Sequence, residues 1–305
     1  MITATVAADT YANLNALNVG INAYALTVTP LVGVGIPTVT QLNTLATKTT
    51  GGVTATVAPD TLANLLTLTG TNNTYAITVT PPAANAPALT AADIVAVDNL
   101  TKGVVSATFS DTVANLAALT GTTNAYTINV TDAASMAQLA AIDAKTTGVV
   151  TATTVQDNAL ALANNAGGYI ANAVKVVVLD TPTVAQLNLI NGNTTGVVKA
   201  SISGTAGVLV GLTQGVTTND YTITVTDAPT VAQLNTLNAL TTGVVKATIT
   251  GTSAVLGALT AGSNDYTITS TDVSNATAPG TGIAEINAMN AATTGVVTAL
   301  SLIHI

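Results

Sequence analysis

Residues 219–252 read NDYTITVTDAPTVAQLNTLNALTTGVVKATITGT, and the fold is decided by how this stretch is read. Tyr221, Ile223 and Val225 alternate with Thr222, Thr224 and Thr226. Period two in β-branched and aromatic residues predicts a strand with one apolar face and one hydroxyl face. Asp227 and Pro229 stop that strand, since neither suits a strand interior. The period then changes. Val231, Leu234, Leu237 and Leu240 lie three apart and mark one face of a short helix. Thr230 with Gln233 fits a capping box, in which each side chain satisfies a backbone N–H at the helix start. Leu240-Thr241-Thr242-Gly243 ends the helix, and Gly243 is expected in the left-handed conformation of a C-cap. Period two returns, with Val245, Ala247 and Ile249 on one side and Lys246, Thr248 and Thr250 on the other.

The unit of strand, turn, short helix, turn, strand recurs about six times along the chain. Its copies align at Ile2, Val53, Val105, Val150, Val198 and Val245, with a partial copy from Val297. The second strand of each copy opens near Tyr24, Tyr75, Tyr126, Val174, Tyr221 and Tyr266. Each unit is therefore nearly two half-units, each one strand plus one short helix. The first half-unit starts its shorter helix at Asp9-Thr10, Asp60-Thr61 and Asp111-Thr112, with Asp or Thr as the N-cap; later copies have Gly204-Thr205 and Gly251-Thr252. The longer helix repeats the box at Thr38 with Gln41, Ser135 with Gln138 and Thr183 with Gln186, and Gly282 with Glu285 take those places in the last copy. Insertions fall in one place, giving Pro, Gly and Ala-rich edge loops at 31–37, 81–89 and 273–282. Residues 151–180 are the outlier, with a degraded first strand and no Tyr opening the second.

Strand and helix in strict alternation point to parallel strands with right-handed crossovers. The expected fold is an α/β repeat, a right-handed βα solenoid with one parallel β-sheet of 12 or 13 strands and short helices on its other face. A two-sided β-solenoid, with the two strand types in separate sheets, is the alternative. The leucine-rich repeat consensus, with its Asn or Cys ladder, is absent from this reading. Residues 1–305 show no linker and no composition shift, so one continuous repeat domain is expected.

Charge is scarce. Charged residues make up 7% of the chain, all six basic residues are Lys, and the net charge is −8, which argues against nucleic acid as a partner. The chain has no Cys, so disulfides and thiolate metal sites are excluded. No apolar run is long enough for a transmembrane helix. Met1 leads directly into ITATV without a basic n-region, so no Sec-type signal peptide is expected.

Runs such as GVVKATITGTSAVLGALTAGSNDYTITSTD, with the motifs TTGVV, NxYTITVTD and VAQLN, resemble the Thr, Ala and Val-rich repeats of large bacterial secreted or cell-surface proteins, cyanobacterial ones above all. The resemblance covers nearly the whole chain and implies an extracellular or cell-surface repeat protein. The Gly and Asp-rich calcium repeats that accompany some such proteins do not occur here.

Candidate sites are few. The single His is His304, next to the last residue, a poor position for a formed cleft, so no catalytic residue and no enzyme activity are expected. Asp132, Asp180, Asp227 and Asp272 all end a second strand. As stacked turn residues they read first as caps. They are also the weak candidates for Ca²⁺ between coils, although that ion wants six to eight oxygens. No other cofactor is expected. The Thr face could meet an ordered surface such as a polysaccharide. The ends carry the assembly expectation: Ile2, Val297, Ala299, Leu300, Leu302, Ile303 and Ile305 would expose core and strand edge to another copy. The function expected from all this is a structural extracellular protein that assembles end to end into a filament, sheath or surface layer. An adhesin or ligand-binding stalk using the Thr face or the edge loops is the alternative.

Overall fold

The computed structural model describes residues 2–30, 35–70, 72–173, 175–271 and 281–299. They form two compact units, Met1–Thr151 and Ala152–Ile305. In the first, strands and helices alternate as β1 (Thr3–Thr5), α1 (Tyr11–Asn15), β2 (Ala23–Thr27), α2 (Val39–Ala46), β3 (Val53–Thr56), α3 (Leu62–Leu65), β4 (Thr74–Thr78), α4 (Ala91–Asp98), β5 (Val105–Asp111), α5 (Val113–Leu116), β6 (Ala125–Ala134) and α6 (Met136–Asp143). The second continues with β7 (Val150–Asp157), which begins at the boundary, then α7 (Ala159–Asn164), β8 (Lys175–Val178), α8 (Val184–Asn193), β9 (Val197–Gly204), α9 (Ala206–Leu209), β10 (Asp220–Val225), α10 (Val231–Ala239), β11 (Val245–Gly251), α11 (Ser253–Leu256), β12 (Asp265–Ser270), α12 (Thr281–Ala292) and β13 (Val297–Ala299).

Within each unit the strands pair in chain order and in parallel. The two strand types are therefore neighbours in one sheet, as a βα solenoid requires, and do not separate into two sheets. Register keeps like faces together: Ala247 lies beside Tyr266 and Ile249 beside Ile268, while Thr248 meets Thr267 and Thr250 meets Thr269. The first set is buried and the second exposed, apart from the half-covered Thr269 position. So the apolar row and the hydroxyl row follow from one alternation.

The helices complete the core. Leu234 and Leu237 of α10, like Leu42 and Leu45 of α2, are fully buried beneath the strands, and the capping boxes form at Thr38, Ser135, Thr183 and Thr230. Thr90 makes a fifth box with Asp93 in place of Gln. Gly282 falls inside α12 and does not precede it, and Glu285 accepts the Ser253 hydroxyl at 2.8 Å. At the short helices the N-cap is Thr10, Thr61 or Thr112, with the Asp one position earlier. The outlier repeat has a full-length first strand, β7, not a degraded one. Its burial alternation breaks at Thr153-Thr154, which disturbs the sequence pattern without removing the strand.

Candidate functional site

With charge and catalytic constellations scarce, the feature that recurs with chemical regularity is the joint by which one coil seats on the next. Its centre is the turn after five of the longer helices, Thr-Thr-Gly in four and Thr101-Lys102-Gly103 after α4. Thr49, Thr101, Thr146, Thr241 and Thr293 each turn a hydroxyl onto the backbone of the preceding Tyr. The Tyr221 N–H donates to Thr241 Oγ1 at 2.7 Å, and that hydroxyl donates to the Tyr221 carbonyl at 2.9 Å. The pairs Tyr24 with Thr49, Tyr75 with Thr101, Tyr126 with Thr146 and Tyr266 with Thr293 repeat this geometry. The Gly two residues later donates its N–H to the same oxygen, as Gly243 does at 2.9 Å.

That Gly is not a left-handed C-cap. Positive φ among the described glycines occurs at Gly35, Gly70, Gly121, Gly167 and Gly168, and Gly243 is not among them. It is glycine because a Cβ there would collide with the Tyr221 carbonyl oxygen. Gly51, Gly103, Gly148 and Gly295 face the matching Tyr carbonyl in the same way. The residue is set by close approach of two backbones.

A second part of the joint was not legible as such. Asn73, Asn124, Asn219 and Asn264, two positions before each Tyr, are buried. Their Oδ1 atoms accept the N–H of Val53, Val105, Val198 and Val245 at 2.8–3.2 Å, so a buried strand entrance keeps its backbone satisfied. The amide nitrogens of Asn124, Asn219 and Asn264 donate to Asp98, Asn191 and Asn238 at the ends of the longer helices. A row of stacked Asn therefore does run through the coils, although the leucine-rich repeat consensus is missing. A third set clips helix to helix. Asn43, Asn188 and Asn235 each donate to a carbonyl at the end of the following short helix and accept an N–H two residues on, between 2.8 and 2.9 Å.

The Asp column has a definite task. Asp132, Asp180 and Asp227 each accept the first N–H of a preceding short helix, from Val113, Ala159 and Ala206, at 2.7–2.8 Å. A carboxylate at a helix N-terminus satisfies an orphan donor and complements the helix dipole. Asp111 does more: one oxygen accepts from Ala91 at the start of α4, the other from Thr112 and Asn115. Burial pushes its carboxyl up, but these three donors outweigh that and hold it below the ordinary carboxylate value. Among the described residues no cluster of three or more His, Asp or Glu side chains is placed to hold a metal ion. Nor is any helix among them long and apolar enough to cross a membrane.

The core Tyr rings carry the heaviest burial. Tyr75 and Tyr221 are almost fully covered, their hydroxyls have no partner among the described residues, and burial raises their ionisation to about 12. The same cause raises Tyr126 and Tyr266, with the nearby Asp98 adding to it at Tyr126.

Of the residues expected at the ends, Ile2 is exposed and donates its N–H to Asn22 Oδ1 at 2.9 Å. Val297 is half-buried and Ala299 exposed in β13. Val174, Leu300, Leu302, Ile303, Ile305, His304 and Asp272 lie outside the described residues, as do 31–34 and 273–280 of the edge loops. The Thr rows of the sheet are in register and exposed, at Thr54 beside Thr74, Thr108 beside Thr127 and Thr248 beside Thr267. No family model, no curated protein and no solved structure matches this chain.

Proposed function

We propose that this chain is a structural protein of the cell surface or extracellular space, which stacks end to end with further copies of itself into a filament, sheath or surface layer. The observation that carries the reading is the joint. Among the described residues, five coils present strand carbonyls and N–H groups on one side and the Thr, Gly and Asn set that receives them on the other. The two sides are unlike and complementary, so the contact is heterologous and is repeated by simple addition. Apart from Asp98, which accepts from Asn124, its side chains are uncharged, and the work assigned to the chain is mechanical rather than catalytic. The extracellular setting rests on the likeness to bacterial surface repeats.

Electron microscopy of the purified chain at low micromolar concentration, with and without calcium, tests this. Long uniform fibres are expected under both conditions. Particles that stay single at every concentration would overturn self-assembly. The hydroxyl rows of the sheet favour a second reading, a polysaccharide-binding stalk. Deleting residues 81–89 and replacing exposed Thr side chains would abolish ligand capture by a stalk and leave fibre formation untouched.

A further inference from the structure

Four coils close the turn between the shorter helix and the next strand at one length. Eight positions separate Leu14 from Asn22, Leu65 from Asn73, Leu116 from Asn124 and Leu256 from Asn264. Two coils differ: ten positions separate Leu162 from Asn172 and Leu209 from Asn219. These long turns come before and after a single helix, α8. That helix ends irregularly, with Thr194 extended (φ −135°, ψ 150°), whereas α2, α4, α6 and α10 close on a right-handed helical residue.

The result is a cleft of about 490 Å³ in the second unit. Its lining draws on Ala171 from the first long turn, Asn191 and Asn193 from the end of α8, and Thr213, Gln214 and Val216 from the second. One wall is fixed. Asn191 donates to the Thr213 carbonyl at 3.1 Å and accepts from Asn219 at 3.1 Å, while a Cβ on Gly215 would strike the Asn191 oxygen, so the turn lies hard against it. Asn188 is held as well, on the Gly211 carbonyl and the Thr213 N–H, which leaves two amide side chains of the lining. Gln214 makes no hydrogen bond to the described residues, and Asn193 reaches the Ala163 carbonyl only at 3.5 Å. No side chain of the lining is charged, and Val216 stands 80% exposed.

Such a cleft has nothing to neutralise a phosphate or carboxylate, which calls for Arg or Lys. Amide groups offer a donor and an acceptor side by side, which pairs with vicinal hydroxyls, and an exposed valine suits the C–H face of a sugar ring. The volume is within the ordinary range for small-ligand sites. We propose that this cleft binds a neutral, hydroxyl-rich ligand of the oligosaccharide class, with Asn193 and Gln214 as its hydrogen-bonding side chains.

The test is a titration of the isotope-labelled full chain with maltotriose and cellotriose, read by amide chemical shifts. Co-sedimentation with the insoluble polymers of the same sugars runs beside it. Saturable shifts confined to residues 188–195 and 213–217 are expected for at least one trisaccharide. Asn193→Ala and Gln214→Ala should each weaken binding about fivefold, the effect of one lost hydrogen bond. Deleting Gln214 and Gly215 restores the eight-position turn and should abolish binding. Capture on a polymer alone, lost in the same variants, would support the site and place its ligand within a longer chain. No binding to any of these probes, or binding that Asn193→Ala and Gln214→Ala leave unchanged, would overturn the proposal. Fibre formation is scored separately, so either idea can fail without the other.

Discussion

The short helices of the first unit begin differently from α9 and α11 of the second. In the first unit the entrance is Asp-Thr-x-x-Asn. Asp9, Asp60 and Asp111 accept the Thr N–H at 2.7–2.8 Å and the Asn side-chain amide four residues on at 2.7–2.9 Å. In the second unit α9 and α11 begin at Gly204-Thr205 and Gly251-Thr252, and neither Thr makes a side-chain cap bond. Val208 and Val255 stand more than half exposed where the first unit has Asn. Yet α9 is not left uncapped, because Asp227 at the end of the following strand receives its first N–H. The backbone demand is the same in both units. The helices α1, α3 and α5 meet much of it within four residues, with Asp132 of the next coil adding to α5, and α7 keeps a local Asn158 cap beside Asp180, whereas α9 takes its side-chain cap from the adjacent coil alone and so depends more on being stacked.

The largest way to test that comparison is to break the joint both units share. Gly148→Ala in the first and Gly243→Ala in the second should each cost about 3 kcal/mol or more in denaturant unfolding, because backbone carbonyl occupies the space. Gly207→Ala, in open space on α9, should instead stabilise by about 0.5–1 kcal/mol. Next in size, Asp111→Ala strands three N–H donors and should cost about 2 kcal/mol. The reverse exchange, Gly251→Asp with Val255→Asn, gives α11 a first-unit entrance and should add about 0.5–1 kcal/mol. Equal effects in both directions would mean that the two entrances are interchangeable.

Acid should separate the units further. Asp9 is held down by the Thr10 N–H and the Asn13 amide, and Asp111 sits below its ordinary value for the reasons given above. Both carboxyls hold a proton less tightly folded than unfolded. Their contribution is present above the ordinary Asp value of about 3.9 and is lost as pH falls through the folded value. Hydrogen exchange of the full chain, corrected for intrinsic rates, should show α1 and α5 losing protection below pH ~4, with the α11 entrance changing less. The smallest effect belongs to the core. Tyr75→Phe and Tyr221→Phe each remove a buried hydroxyl without a described partner, and stability should shift by less than about 0.5 kcal/mol. A loss beyond about 1.5 kcal/mol would reveal a bond to that oxygen.

What could be read from sequence was what is local. Period two at Tyr221–Val225, period three at Val231–Leu237 and the Thr230–Gln233 box concern residues within one turn or strand, and each appears in place. The joint was not local. Gly243 looks like a helix terminator until the Tyr221 carbonyl, in the strand before, is seen against it. Asn219 reads as a turn residue until the Val198 N–H arrives from 21 residues away. Asp227 looks like the end of one strand, while its partner is the start of an earlier helix. The cleft beside α8 was in the numbers all along, as two turns longer by two positions, but only the fold places those turns around one helix end.

The Thr, Gly and Asn of the joint have a consequence at the level of the gene. In five of the six copies all three lie within one repeat of roughly fifty codons, and those five joints share one geometry. Unequal crossing-over that drops or duplicates one of those repeats in frame is expected to leave a joint of the same Tyr, Thr and Gly geometry, whereas a seam beside α8, with its longer turns, would differ. Copy number is then adjustable among those repeats, and coding sequences of different length can yield proteins that keep the same joint contacts.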